Sequence, residues 1–283
     1  MRIATVADRL TVLTAEGSGV DVARLSADRF SSDPQAVYDR WEEFRDWAAG
    51  AIPMTGGPTD SVITADALGP PAPAPRQVFA IGLNYTDHAK EAGLALPEAP
   101  PTFTKFPSCV TGPYGELRLP SRVVDWEAEL VVVIGRRAHH VTQEHAWEYV
   151  AGLTVGQDFS ERDVQLAGPA PQFSLGKSFP GFGPTGPWLV TPDEFDDPDD
   201  LELSCTINGE QVQKARTSQM VFPVPELIAR LSAVCPLLPG DLIFTGTPAG
   251  VGGARTPRRF LSPTDVVVSR VEGIGEIRQH CAG

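Results

Sequence analysis

The stretch Val123-Val124-Asp125-Trp126-Glu127-Ala128-Glu129-Leu130-Val131-Val132-Val133-Ile134-Gly135 runs an acidic alternation straight into an apolar block. In a strand, alternate side chains share a face, so Asp125, Glu127 and Glu129 point one way and Trp126, Ala128 and Leu130 the other. Carboxylates on one face lie about 7 Å apart along the strand and repel unless a positive charge or water lies between them. The apolar block carries this strand into the core. Carboxylates entering a core hold protons or a cation, and hard oxygen ligands suit Mg²⁺, Mn²⁺ or Ca²⁺. An edge strand with a wet acidic face would show the same pattern.

Asp158 ends a second apolar run, Leu153-Thr154-Val155-Gly156-Gln157. Pointing the same way as Glu127 and Glu129, it would complete a three-carboxylate site with room for water and substrate. Capping the next helical turn is the alternative role for an Asp after a strand. Asn84-Tyr85-Thr86-Asp87-His88-Ala89-Lys90-Glu91 opens a helix after a strand ending at Gly82, and its spacing makes His88 and Glu91 neighbours. A carboxylate orienting an imidazole is what a general base requires, although such pairs are also common on surfaces without a role. His139, His140, His145 and His280 lack comparable company and are expected to be structural or exposed. Lys177, a lone cation in Phe173-Ser174-Leu175-Gly176-Lys177-Ser178-Phe179, needs an anionic partner if buried, or snorkels from a loop if not. The glycine-rich run Thr245-Gly246-Thr247-Pro248-Ala249-Gly250-Val251-Gly252-Gly253 is expected to cradle a substrate carboxylate with its backbone N–H groups, an ordinary tight turn being the alternative. It lacks the Gly-Lys-Ser/Thr of a Walker phosphate loop.

The 283 residues make one large or two small domains. Gly and Pro number 27 each, which favours many short strands over a helical bundle. Strands are predicted at Gln77–Gly82, Glu129–Gly135, Leu153–Asp158, Leu201–Ile207, Asp241–Thr245 and Asp265–Val271, with helices near Tyr85–Gly93, Glu144–Val150 and Val224–Ala233. Residues Ile3 to Val22 form a strand-rich start, and Val37, Trp41, Phe44 and Trp47 place one amphipathic helix over Asp33–Ala49. The Pro-rich run from Gly69 to Pro75 then reads as a stiff connector. It divides a small N-terminal α/β module, residues 1–70, from a β-rich α+β body, residues 71–283.

A net charge of −13 with no basic footprint beyond the isolated pair Arg258 and Arg259 excludes a nucleic-acid binder. The acids from Asp193 to Glu202 read as a solvated loop. No apolar run approaches the ~18 residues that span a bilayer, and the start of the chain is charged, which predicts a cytoplasmic protein with no membrane partner. Cys109, Cys205, Cys235 and Cys281 form no CxxC and are expected to be free thiols in packing roles.

In order, Gly82-x-Asn84-Tyr85-x-x-His88-x-x-Glu91, Glu127-x-Glu129, Asp158 with Ser160-x-Arg162-Asp163-x-Gln165, Gly176-Lys177-Ser178 and Thr245-Gly246-Thr247-Pro248-x-Gly250-Val251-Gly252 resemble the fumarylacetoacetate hydrolase superfamily, from about Gln77 to Arg278. The stretch Gly183–Thr191 and the module before Pro70 resemble its bacterial members acting on 2,4-dioxo acids. The resemblance implies a mixed β-roll, a homodimer, and Mg²⁺ or Mn²⁺ held by Glu127, Glu129 and Asp158. It gives catalytic roles to His88 and Glu91 on a short lid helix and to Lys177, and substrate contacts to Arg162, Gln165, Thr247 and Tyr85. Pro180 departs from the pattern, since many members carry Asp there.

The activity implied is metal-dependent hydrolysis of a C–C bond in an acylpyruvate or other small anionic 2-oxo acid, with His88 activating water and the cation stabilising the enolate. An oxaloacetate-type decarboxylase or keto–enol isomerase would use the same platform. A non-catalytic binder of small acids would have no need of the dyad.

Overall fold

The computed structural model describes residues 1–15, 17–51 and 61–283; residues 16 and 52–60, which fall in the expected N-terminal module, lie outside the described residues. The main sheet contains, in chain order, β1 (Arg2–Val6), β2 (Arg9–Ala15), β3 (Ser18–Asp21), β4 (Ser61–Val62), β5 (Val78–Ile81), β6 (Thr102–Thr104), β7 (Ala128–Ile134), β8 (Val150–Gln157), β9 (Gly183–Val190) and β10 (Leu242–Phe244). They lie side by side as β4-β3-β2-β1-β9-β8-β7-β10-β5-β6. β7 is antiparallel to β8 and β10, whereas β10 and β5 are parallel, so the sheet is mixed. A second, five-stranded sheet runs Glu210–Arg216, Glu202–Ile207, Val266–Val271, Gly275–Ala282, Tyr114–Arg118. With few helices, chiefly α1 (Trp41–Ala51), α2 (Thr86–Glu91) and α3 (Val224–Val234), the architecture is the expected β-rich α+β.

β7 is buried along its whole length because both of its faces are covered. Leu130, Val132 and Ile134 pack with Leu203, Ile207, Val267 and Ile277 of the second sheet. Val131 and Val133 pack with Phe244, Val78 and the aromatics Tyr38, Trp41 and Phe44 around α1. Full burial of each such side chain contributes about 1.5–3 kcal/mol, so this strand is the axis of the body. The strands before residue 70 enter the same sheet, with Arg2 opposite Val190 and Ile3 opposite Leu189.

All six predicted strands form, with shifted ends. β9 is not among the predicted strands, and it carries Pro184 and Pro187, a residue type rare in mid-sheet. It is nevertheless hydrogen-bonded on both sides, to β1 and to β8, with an irregular register between Leu153 and Val155. The single helix expected over Asp33–Ala49 is instead a 3-10 turn, Ala36–Arg40, followed by α1. Asp33 accepts a hydrogen bond from the Gln35 amide two residues on, a turn contact that delays the helix. The helix near Glu144–Val150 is a 3-10 helix, Gln143–Tyr149. The acidic stretch is less solvated than expected, since Asp200 accepts from Arg216 and Ser218, and Asp199 from the Trp147 indole. All four cysteines are free. Among the described residues, no helix is long and apolar enough to cross a membrane.

Candidate active site

Antiparallel pairing sets Ala128 opposite Gln157 and Glu129 opposite Gly156, so the start of β7 meets the end of β8. One oxygen from each of Glu127, Glu129 and Asp158 lies within 4.8 Å of the others, and all three residues are buried. The backbone leaves the ladder here and side chains take over its hydrogen bonds: the Glu127 amide donates to Gln157 Oε1 at 2.8 Å and the Ala128 amide to Gln213 Oε1 at 3.0 Å. Asp125, expected to share a face with the two glutamates, is not one of the three clustered acids, and Arg162 Nη2 bridges it to Glu127. Asp125 instead accepts from Arg162 at 2.7 and 2.9 Å and from the Gly252 and Gly253 amides at 2.7 Å each.

Lys177 is buried among these acids, donating to Glu127 Oε2 at 2.8 Å, Asp158 Oδ2 at 2.6 Å and Ser160 Oγ at 2.8 Å. Lys105, which nothing in the sequence reading singled out, is fully buried and donates to Asp158 Oδ1 at 2.6 Å and to the Lys177 carbonyl. The criterion that picked out Lys177, a lone cation between apolar neighbours, fits Lys105 between Phe103 and Phe106 as well. Arg162 completes the set at 2.8 Å from Glu127 Oε1.

Burial alone would push the Glu127 carboxyl up, but Lys177, Arg162 and His88 bring it down to about 2. Burial, followed by the negative charges of Asp158 and Glu127, holds Glu129 well above the ordinary carboxyl range. Glu129 has no ion pair among the described residues and accepts only the Gly246 amide, at 2.8 Å. Converging buried carboxylates, of which Glu129 has no cationic partner among the described residues, form an all-oxygen donor set that fits Mg²⁺ or Mn²⁺.

Asn84, buried, donates to the carbonyls of Phe222 and Thr245 and accepts from the Phe222 amide, fixing the turn from which α2 starts. On that helix His88 Nδ1 and Glu91 Oε1 are 2.8 Å apart. The Gly250 amide donates to both Glu91 oxygens, at 3.0 and 2.9 Å. His88, Glu91, Glu127, Arg162, Lys177 and Thr247 line one cavity of about 580 Å³, and Gln165 also reaches it. A larger depression of about 790 Å³, elsewhere on the surface, contains none of these residues.

Gln165 accepts from Arg162 at 2.8 Å, and the Thr247 hydroxyl donates to the Ala128 carbonyl at 2.9 Å. Tyr85 is buried and does not line this cavity; its hydroxyl has no hydrogen-bond partner among the described residues. Two expectations need correction. The glycine-rich run does bind carboxylates through its amides, but they are the protein's own: Gly246 holds Glu129, Gly250 holds Glu91, and Gly252 and Gly253 hold Asp125. An amide proton engaged in this way is not free for substrate. His145 does have company, since its Nδ1 lies 2.8 Å from Glu148 Oε1.

The sequence profile of the fumarylacetoacetate (FAA) hydrolase C-terminal family matches residues 77–282. The human mitochondrial oxaloacetate tautomerase FAHD2A is 46% identical over 209 residues, which are 73% of this chain and 67% of that protein. A crystal structure from Mycobacterium smegmatis carrying the name HpcE is 54% identical, with a TM-score of 0.93 and coverage of 100% of this chain and 99% of the other. The maleylpyruvate hydrolase of Sphingobium sp. SYK-6, solved with manganese(II) and pyruvate, is 27% identical, with a TM-score of 0.79 and coverage of 100% and 99%.

Proposed function

The chain belongs to the fumarylacetoacetate hydrolase family, a family of enzymes, and we propose that it catalyses proton transfer to and from the enolate of a small 2-oxo acid, with oxaloacetate-type keto–enol tautomerisation as the reaction. One observation carries the proposal: the His88–Glu91 pair lines the same cavity as Glu127, the acid through which the three-carboxylate cluster reaches that cavity. With Glu91 accepting Nδ1–H, His88 keeps the Nε2 lone pair for the substrate. Nε2 takes a proton from C3 and delivers it to the 2-oxo oxygen to give the enol, the reverse direction running the same transfers backwards, while Glu91 stabilises the imidazolium that forms between the two steps. Lys177 and Gln165 supply positive charge and a donor near the 2-oxo oxygen, where negative charge develops. A divalent cation held by Glu127, Glu129 and Asp158 supplies further electron withdrawal from that oxygen. The proposal includes Mg²⁺ or Mn²⁺ as that cation, a cytoplasmic location and assembly as a homodimer.

The second reading is hydrolysis of a C–C bond in an acylpyruvate, with Nε2 taking the proton from an attacking water. Its support is the likeness to the maleylpyruvate hydrolase bound to manganese and pyruvate. Offering oxaloacetate and a set of 2,4-dioxo acids with Mg²⁺ separates the two: tautomerisation changes the enol absorbance without releasing a second acid, whereas hydrolysis yields two carboxylates. A protein that binds these acids and turns over none would be the non-catalytic binder, and the proposal would fall. A chelator should abolish turnover. Mn²⁺ should raise the melting temperature of the protein but not of Glu129→Gln.

A further inference from the structure

Six charged groups around the site form one unbroken chain of alternating sign. Asp125 pairs with Arg162 at 2.7 Å, Arg162 with Glu127 at 2.8 Å, Glu127 with Lys177 at 2.8 Å, Lys177 with Asp158 at 2.6 Å, and Asp158 with Lys105 at 2.6 Å. Three acids face three cations, so the chain is neutral within itself. Glu129 stands outside it, and Lys105 closes its far end.

Lys105 differs from the other two cations in what it can reach. Lys177 and Arg162 line the catalytic cavity, whereas Lys105 does not and is 0% exposed. Its amide donates to the Val78 carbonyl at 3.0 Å, which ties the residue to β5, and its ammonium lies 5.7 Å from the centre of the Phe244 ring. A Cβ on Gly183 would stand 3.3 Å from Lys105 Cε and 3.0 Å from Cys109 Sγ, so the chamber around the side chain is closed. Besides Asp158, the ammonium holds the Lys177 carbonyl. A buried charge with no route to substrate acts only through the groups it touches.

We infer that Lys105 is a positioning residue whose charge, acting through Asp158, weakens the hold of the three carboxylates on a divalent cation and strengthens the hold of the loaded site on an anionic acid. The inference rests on the proposed function in one respect: Glu127, Glu129 and Asp158 are the cation's ligands. With Glu129 counted as a ligand carboxylate, the contacting groups carry one excess negative charge, and a divalent cation turns that into one positive charge. This sign suits the carboxylate of a 2-oxo acid. Without Lys105 the same groups and the same cation cancel, and the electrostatic draw on the acid is lost. A Lys105 that merely held Asp158 in place would have the opposite signature, a weaker cation site on its removal.

The test is calorimetric titration with Mn²⁺, followed by oxalate at saturating Mn²⁺. K105M, with a neutral side chain of similar length, should bind Mn²⁺ about tenfold more tightly than the unaltered protein and oxalate about tenfold more weakly, the scale of one unit charge acting on buried groups a few ångströms away. Its metal-free melting temperature should fall, because Asp158 loses a partner, and saturating Mn²⁺ should raise that temperature by more than in the unaltered protein. K105Q, which keeps a donor for Asp158 without the charge, must show the same changes and serves alone should K105M fail to fold. K214M removes an exposed lysine paired with Glu202 and should alter neither affinity. Equal or weaker Mn²⁺ binding in the Lys105 variants, equal oxalate binding, or variants that fold neither with nor without Mn²⁺ would overturn the inference and leave the proposed function standing. An unaltered protein that binds no Mn²⁺ would remove the cation from the proposed function, and this inference with it.

Discussion

The molecule contains two His–Glu pairs built to one pattern. His88 with Glu91 and His145 with Glu148 are each three residues apart on a helical turn, and in each Nδ1 lies 2.8 Å from Oε1. Helical spacing alone produces that contact. The surroundings differ: the side chains of the first pair are 13% and 22% exposed, and those of the second 58% and 57%. Glu91 is held by the Gly250 amide and lines the same cavity as Glu127, whereas Glu148 has no further partner among the described residues. A histidine–carboxylate contact is therefore weak evidence of chemistry until the groups around it are known.

The comparison can be broken most directly at the imidazoles. His88→Ala should lower kcat by about a thousandfold, the loss expected of a general base, while His145→Ala should stay within twofold; equal effects in steady-state assays would erase the distinction. At the carboxylates, Glu91→Gln should cost about thirtyfold in kcat and Glu148→Gln nothing measurable. Gly250→Ala tests what holds Glu91. Gly250 sits at φ +111°, and a Cβ there would lie 2.0 Å from the Val212 carbonyl, so the loop must shift; we expect a loss of about 2 kcal/mol in stability and about tenfold in kcat.

The smallest effect belongs to the exposed pair. The hydrogen bond that His145 donates to Glu148, then the charge of Glu148, raises the His145 pKa above the ordinary histidine value of about 6.5. The raised value means that any stabilisation is complete below pH ~6.5 and is lost as pH rises through the folded-state midpoint. NMR titration of Glu148→Gln should show that midpoint moving down, with no measurable change in melting temperature, because both groups are solvated.

Much of this was legible because strand periodicity is a strong constraint. The run from Leu130 to Ile134 pointed to a strand entering the core, with an edge strand as the alternative, and Asp158 at the end of another such run could meet Glu127 and Glu129 if the two paired antiparallel, as they do. What escaped notice depended on contacts remote in sequence. Asp125 stands outside the cluster because Arg162, whose Nη2 also contacts Glu127, and the amides of Gly252 and Gly253 occupy its carboxylate. Lys105 was marked only by its apolar neighbours, the same sign that picked out Lys177, and its partner Asp158 lies 53 positions away. β9 carries Pro184 and Pro187 and was not among the predicted strands, yet the sheet accepts it. The glycine amides were rightly seen as carboxylate holders, but their partners come from Glu91, Asp125 and Glu129, which no local pattern could disclose.

The Gly250 amide belongs to the same loop that displays Arg258, so the clasp on Glu91 and an exposed cation of the cavity wall ride on one piece of backbone. Anyone who remodels this loop by selection for a new acid will disturb the aim of the imidazole at the same time. Libraries confined to the loop should therefore trade turnover for altered preference, and recovery should arise from compensating changes in α2, where the other half of the clasp is anchored.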